Sequence, residues 1–127
     1  MKNLPKISDA EWRVMQVFWN RHPLTANAVA EALADSVQWN PRTVKTLINR
    51  LVKKGALGYD VDGRTYLYSP LVQSEDCVQA EGRSFLKRVF SGALTPMIIH
   101  FLEEEKLTHE EIDELERILG KKRGEEK

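Results

Sequence analysis

The sequence predicts a mostly α-helical chain with a small β-hairpin: a winged helix-turn-helix domain over residues 1–70, followed by a three-helix dimerisation segment over 71–127. Three observations carry that expectation. Asn40 to Gly55 reads as one capped helix with all its charge of a single sign. Immediately after it the apolar period changes from 3.6 to 2. The charge of the chain is also divided: residues 1–70 hold 10 Lys/Arg against 6 Asp/Glu, and residues 71–127 hold 9 against 13, although the formal net charge is zero. A basic part joined to an acidic part points to nucleic-acid binding by one of them.

The first helix opens at Ser8-Asp9-Ala10-Glu11, a capping box in which Ser8 caps and Glu11 reaches back. Ile7 and Trp12 stand at the positions of a hydrophobic staple, and Val14, Met15, Phe18 and Trp19 supply the buried side up to about Asn20. His22-Pro23-Leu24 breaks the pattern. Thr25 then caps an Ala-rich second helix through Ala34, whose small side chains let another helix approach closely.

The third helix is the centre of the chain. Asn40 suits the N-cap, Pro41 the first helical position, and Gly55 the left-handed residue that ends a helix. Val44, Leu47, Ile48, Leu51 and Val52 form one apolar stripe. Opposite it lie Arg42, Lys45, Thr46, Asn49, Arg50 and Lys53, with Lys54 beside them. Five basic residues and no acidic one occur from Arg42 to Lys54. A solvated helix normally mixes signs, because i,i+4 pairs of opposite charge support it. This helix forgoes that support, which suits a polyanion on its outer face.

Leu57, Tyr59 and Val61 then alternate with polar residues or Gly, Asp62-Gly63 signals a type I′ hairpin, and Arg64 to Tyr68 form the return strand, closed by Pro70. A lone hairpin is marginal, so it must pack on the helices. Arg64 fits either a phosphate or minor-groove contact or a solvated hairpin side chain.

From Ser74, expected to cap the fourth helix, Val78, Phe85, Leu86, Val89 and Phe90 line an apolar side; Ser91-Gly92 interrupts. Thr95-Pro96 reads as a cap and N1 proline before Met97, Ile98, Ile99, Phe101 and Leu102. Thr108 and Glu111 form a second capping box ahead of Ile112, Leu115, Ile118 and Leu119, with Gly120 as the expected end and KKRGEEK as a frayed tail. Under 50 residues rarely bury enough surface to stand alone. Narrow apolar seams on such helices favour a two-fold homodimer, with Phe85, Val89, Ile98, Phe101, Ile112, Leu115 and Leu119 as its contacts. Two third helices related by a two-fold axis would read two half-sites of a palindrome in double-stranded DNA. Arg42, Thr43, Lys45, Thr46 and Arg50 are the candidates for base edges or flanking phosphates. Lys53, Lys54 and Arg64 would add salt-sensitive backbone contacts, and Asn49 is placed too far back for bases.

Other classes find little support. No Ser/His/Asp set, metal triad or Gly-rich phosphate loop appears, so an enzyme is not expected, nor a cofactor. His22, His100 and His109 do not form ligand spacing, so no metal is expected. The single Cys77 excludes an intrachain disulfide and reads as a small buried apolar residue. No signal-peptide run and no membrane-length apolar stretch occur, which gives a soluble, cytoplasmic expectation. The competing reading is a winged helix used for protein–protein docking without sequence-specific DNA binding.

ISDAEWRVMQVFW, NPRTVKTLINRLVKKGAL, DGRTYLYSPLV and LTHEEIDELERIL, in that order, resemble the penicillinase-repressor and methicillin-resistance-repressor family of bacterial regulators. The likeness covers essentially the whole chain. It implies a dimeric winged-helix repressor, commonly of β-lactam resistance genes, on palindromes built from TACA/TGTA. The recognition contacts of the family map onto Arg42, Thr43, Lys45, Thr46 and Arg50. The resemblance further implies a membrane-bound sensor that triggers cleavage of the repressor in the fifth helix, between an Asn and a Phe. The matching pair is His100-Phe101: Phe101 keeps the pattern, His100 departs from it, and His100 alone reads as a partly exposed helix residue without a special task. A copper-sensing branch uses clustered C-terminal cysteines that this chain lacks.

Overall fold

A computed structural model describes residues 4–125. In chain order these form α1 (Asp9–Asn20), α2 (Ala26–Leu33), α3 (Pro41–Lys54), β1 (Leu57–Asp62), β2 (Thr65–Pro70), α4 (Ser74–Phe90), α5 (Leu94–Glu104) and α6 (His109–Glu125). This is the winged-helix order with three further helices. The chain divides into two compact units, one ending at Gly82 and one starting at Arg83. The first unit thus runs past Pro70 and takes in the start of α4.

In the first unit the caps form as the residue types dictate. Ser8 Oγ accepts from the Glu11 N–H at 3.2 Å and Glu11 Oε1 accepts from the Ser8 N–H at 2.9 Å. Thr25 Oγ1 accepts from the Ala28 N–H. Val14, Met15 and Phe18 of α1, Val29 and Leu33 of α2, and Val44, Leu47, Ile48 and Leu51 of α3 meet in one core. Ile7, Leu24, Ala56, Leu57, Tyr68 and Cys77 complete it. Burial raises the Cys77 thiol above its ordinary range, with Asp76 adding to the effect, as befits a packed side chain. Trp19 is half-buried and donates its indole N–H to the Val72 carbonyl at 2.9 Å.

The hairpin is antiparallel, with Leu57 opposite Pro70, Tyr59 opposite Tyr68 and Asp62 opposite Thr65. Leu24 extends it by a single bridge: its N–H donates to the Tyr68 carbonyl at 3.1 Å and its carbonyl accepts from the Tyr68 N–H at 2.9 Å. The chain between α1 and α2 thereby ties the wing to the helices.

Five local expectations are corrected. Because Asp62 pairs with Thr65, the two-residue turn is Gly63-Arg64, not Asp62-Gly63. Gly63 at φ 66° occupies its first position and Arg64 lies outside the left-handed region, so the turn follows the type II′ pattern, where glycine leads. In the second unit α5 starts at Leu94 behind Ala93, without a side-chain cap, so Thr95 is already helical. Pro96 is tolerated there because first-turn N–H groups have no intrahelical acceptor. Nor does Gly120 end α6, which continues to Glu125. A mid-helix glycine costs only about 1 kcal/mol, and Lys122 and Arg123 in the last turn suit the helix dipole. The tail expected to fray is thus helical to Glu125, and its last two residues lie outside those described. Similarly, Ser74 is the first residue of α4 rather than its cap, and the Gln73 carbonyl accepts from the Cys77 N–H.

The second unit buries little. Neither α5 nor α6 has a buried residue. Phe85, Phe90 and Phe101 gather with ring centroids 6.1 to 6.4 Å apart. Thr108 and Glu111 form the capping box at 3.1 and 2.8 Å. Among the described residues no single helix is long and apolar enough to cross a membrane.

Candidate nucleic-acid interface

Helix α3 is held rigidly at both ends. Asn40 Oδ1 accepts from the Thr43 N–H at 2.9 Å, and Pro41 follows in the first turn. At the other end Gly55 takes φ 84°, its N–H reaches the Val52 carbonyl, and the Ala56 N–H reaches the Leu51 carbonyl at 2.9 Å. Those crossed bonds are a Schellman ending, and buried Ala56 seals it. With the apolar stripe inside, Arg42, Lys45, Thr46, Asn49, Arg50 and Lys53 are exposed and Thr43 is half-buried. Two of the hydroxyls are engaged on the helix itself: Thr43 Oγ1 with Asn40 Oδ1 at 3.3 Å, and Thr46 Oγ1 with the Arg42 carbonyl at 3.0 Å. Both donate their O–H in these bonds, so each still offers its methyl group and the two acceptor lone pairs of its oxygen.

Beside this face runs an open groove of about 720 Å³, lined by Thr25, Ala26 and Asn27 at the start of α2, Lys45 and Asn49 of α3, and Arg64, Thr65, Tyr66 and Tyr68 of the wing. It brings together Lys45 and Arg64 from the predicted set, although they come from separate elements. It also brings in Asn49, expected to stand too far back, and Asn27 and Tyr66, which the sequence did not single out. The sequence signal for Asn27 is the Thr25 cap, which places the α2 N-terminus, and that for Tyr66 is the return strand; that the two face each other depends on the Leu24–Tyr68 bridge. First-turn N–H groups, a lysine, an arginine and two amides make the groove suited to anionic oxygen.

Lys54, expected among the backbone contacts, is also engaged within the protein. Its Nζ donates to Glu11 Oε1 and, at 2.8 Å, to the Lys6 carbonyl. Glu11 is 2% exposed and, among the described residues, is the buried charged side chain. Burial alone would raise its carboxyl, but hydrogen bonds from Lys54 and Ser8, with the lysine charge, outweigh this and hold it below the ordinary range. The charge pattern of α3 groups Lys54 with the expected phosphate contacts, and the fold adds a bond from its Nζ to Glu11.

The second unit carries the other candidates. Val89, Ile98, Phe101, Ile112, Leu115 and Leu119 are exposed and Phe85 is half-buried. His100 and Phe101 lie within α5, ring centroids 5.4 Å apart, so the bond between them is in helical conformation. Among the described residues no group of three His, Cys, Asp or Glu side chains gathers as a metal site.

Comparison with known proteins agrees with this geometry. The penicillinase repressor family model matches residues 7–121. The penicillinase repressor of Bacillus licheniformis is 39% identical over 127 residues, covering 100% of this chain and 99% of that protein. Methicillin resistance regulatory protein MecI of Staphylococcus aureus (strain N315) is 36% identical over 117 residues, covering 92% and 95%. Among solved structures, the monomeric form of Bacillus licheniformis BlaI in complex with the blaP half-operator aligns with TM-score 0.52 and 41% identity, over 60% of this chain and 93% of that one. The one-signed helix, the wing and these matches lead to one conclusion: the chain belongs to the penicillinase repressor family, whose members are transcriptional repressors and not enzymes.

Proposed function

We propose that this protein is a homodimeric repressor that binds a palindromic operator of the TACA/TGTA type in double-stranded DNA and controls β-lactam resistance genes. The observation that carries the reading is the outer face of α3, which holds Arg42, Lys45, Arg50 and Lys53 exposed with no acidic residue among them. Arg42, Thr43, Lys45, Thr46 and Arg50 read base edges or flanking phosphates. Arginine pairs with guanine, and a threonine methyl meets the thymine methyl. Lys53 and Arg64 hold the backbone, and a relative solved with a half-operator supports placing DNA on this domain.

Dimerisation through Phe85, Val89, Ile98, Phe101, Ile112, Leu115 and Leu119 explains why the second unit leaves so many large apolar side chains uncovered. Large apolar side chains left uncovered in this number favour an interaction site, and a second copy supplies a matching set. Induction follows the same logic: a membrane-bound sensor triggers cutting between His100 and Phe101. That bond lies among the dimer contacts, so cutting it weakens the dimer and the operator affinity that needs both halves. Because the bond is in a helix, the protease must act on a locally opened α5.

The test is a titration of the full chain against a TACA/TGTA palindrome and a scrambled duplex of equal length at several salt concentrations. Preference for the palindrome, with affinity falling steeply as salt rises, is expected. Equal, salt-insensitive binding to both would favour the protein-docking alternative.

A further inference from the structure

Among the described residues Glu11 is the buried charged side chain, and its partner comes from the recognition helix. Lys54, the last residue of α3, donates to Glu11 Oε1 and also to the Lys6 carbonyl at 2.8 Å, while the same Glu11 oxygen accepts from the Ser8 N–H at 2.9 Å. One carboxylate thus joins the segment before α1, the first turn of α1 and the C-terminal end of α3, across 43 positions of sequence. Hydrophobic burial of the α3 stripe is itself non-directional. A charge-assisted hydrogen bond at one end is directional, and it selects one setting.

We propose that Glu11 is a positioning residue for operator discrimination: through Lys54 it sets the angle at which α3 presents its reading face, and Lys54 serves as a strut rather than a phosphate contact. The inference rests on the DNA-binding reading above. Base edges demand hydrogen-bond geometry, whereas phosphates tolerate displacement of a flexible lysine or arginine. A recognition helix released from its strut therefore loses preference for the operator while keeping its general attraction to DNA. Burying a carboxylate only to brace a helix end is costly unless it is paired, which is why the two residues act as a unit.

The experiment compares the full-length parent with Glu11→Gln, Lys54→Met and the double variant, on a TACA/TGTA palindrome and a scrambled duplex across a salt series. Glutamine retains an acceptor for the Ser8 N–H, and methionine retains most of the aliphatic stem of the lysine. Circular dichroism establishes that each variant is folded at the temperature of measurement, and Lys54→Met serves if Glu11→Gln does not fold. Expected is a fall of about tenfold in the ratio of operator to scrambled affinity in each single variant, with no further fall in the double, since groups sharing one interaction are non-additive. The salt slope of Lys54→Met on scrambled DNA should equal that of the parent. A role confined to stability would lower both affinities together and leave their ratio unchanged, which would overturn the inference. So would a slope smaller by about 0.9 in Lys54→Met, the signature of one lost phosphate contact. A parent that binds neither duplex, or both alike, would sink the operator reading and this inference together; a discriminating parent with equally discriminating variants would sink only the inference.

Discussion

Tyr59 of β1 and Tyr66 of β2 stack across the wing, ring centroids 4.8 Å apart with 19° between the planes. They are not opposite each other in the register: Tyr59 faces Tyr68 and Val61 faces Tyr66. The stack is a diagonal pair on one face of the hairpin. Tyr68 is buried beneath them against Phe18, while Tyr59 remains 49% exposed and Tyr66 46%. The buried end of this aromatic row anchors the wing and its open end borders the groove.

Removing the stack should loosen the wing and spare the rest of the domain. Tyr59→Ala is expected to cost about 1 kcal/mol beyond its lost burial, read as a lower midpoint in thermal unfolding. Tyr66→Ala should cost a similar amount and additionally weaken DNA binding, because Tyr66 alone of the two lines the groove.

On the reading face, Arg50→Ala should weaken binding to the palindrome by about 1–3 kcal/mol if the arginine meets a base edge. Its circular dichroism spectrum should match the parent, since Arg50 is exposed. Lys53→Ala should weaken palindrome and scrambled duplex alike and reduce the salt slope by about 1. An Arg50→Ala protein that still binds the palindrome as tightly as the parent would show that the reading face is misassigned.

The uncovered seam of α6 is tested by Leu115→Glu, which puts a charge where an apolar contact is needed. A central contact of this kind is expected to lower dimer stability by about 2 kcal/mol or more. Sedimentation should then report a species near the 14.6 kDa of one chain. An unchanged mass would place the seam elsewhere.

Glu11 links the fold to pH. Its carboxyl titrates below the ordinary value of 4.5 when folded and near it when unfolded. Between those two values the unfolded chain binds the extra proton, so the contribution of Glu11 is complete above pH 4.5 and is lost as pH falls through the folded value. Acid unfolding of the parent should therefore be steeper through this window than that of Glu11→Gln. Superimposable acid-unfolding curves would mean that Glu11 contributes no such linkage.

Much of the chain was legible because its signals are local. Ser8, Thr25, Asn40 and Thr108 cap helices through bonds three residues long, and the stripe from Val44 to Leu51 is buried as its period requires. Two of the misread positions are ones where two local signals compete: Gly63 suits a turn at either of two registers, and cross-strand pairing chose between them. Gly120 is compatible with both a helix end and a helix interior, and the basic residues that follow it carried α6 onward.

The sequence by itself determined which helices exist, where the wing begins, and that α3 shows a basic face, since hydrogen-bond caps and apolar periodicity act over a few residues. Tertiary structure alone decided that Lys54 belongs to Glu11, that Leu24 pairs with Tyr68, and that Asn27, Asn49 and Arg64 share one groove. Those outcomes join residues tens of positions apart, and no short-range pattern encodes which distant partner a buried carboxylate will meet once the core has closed.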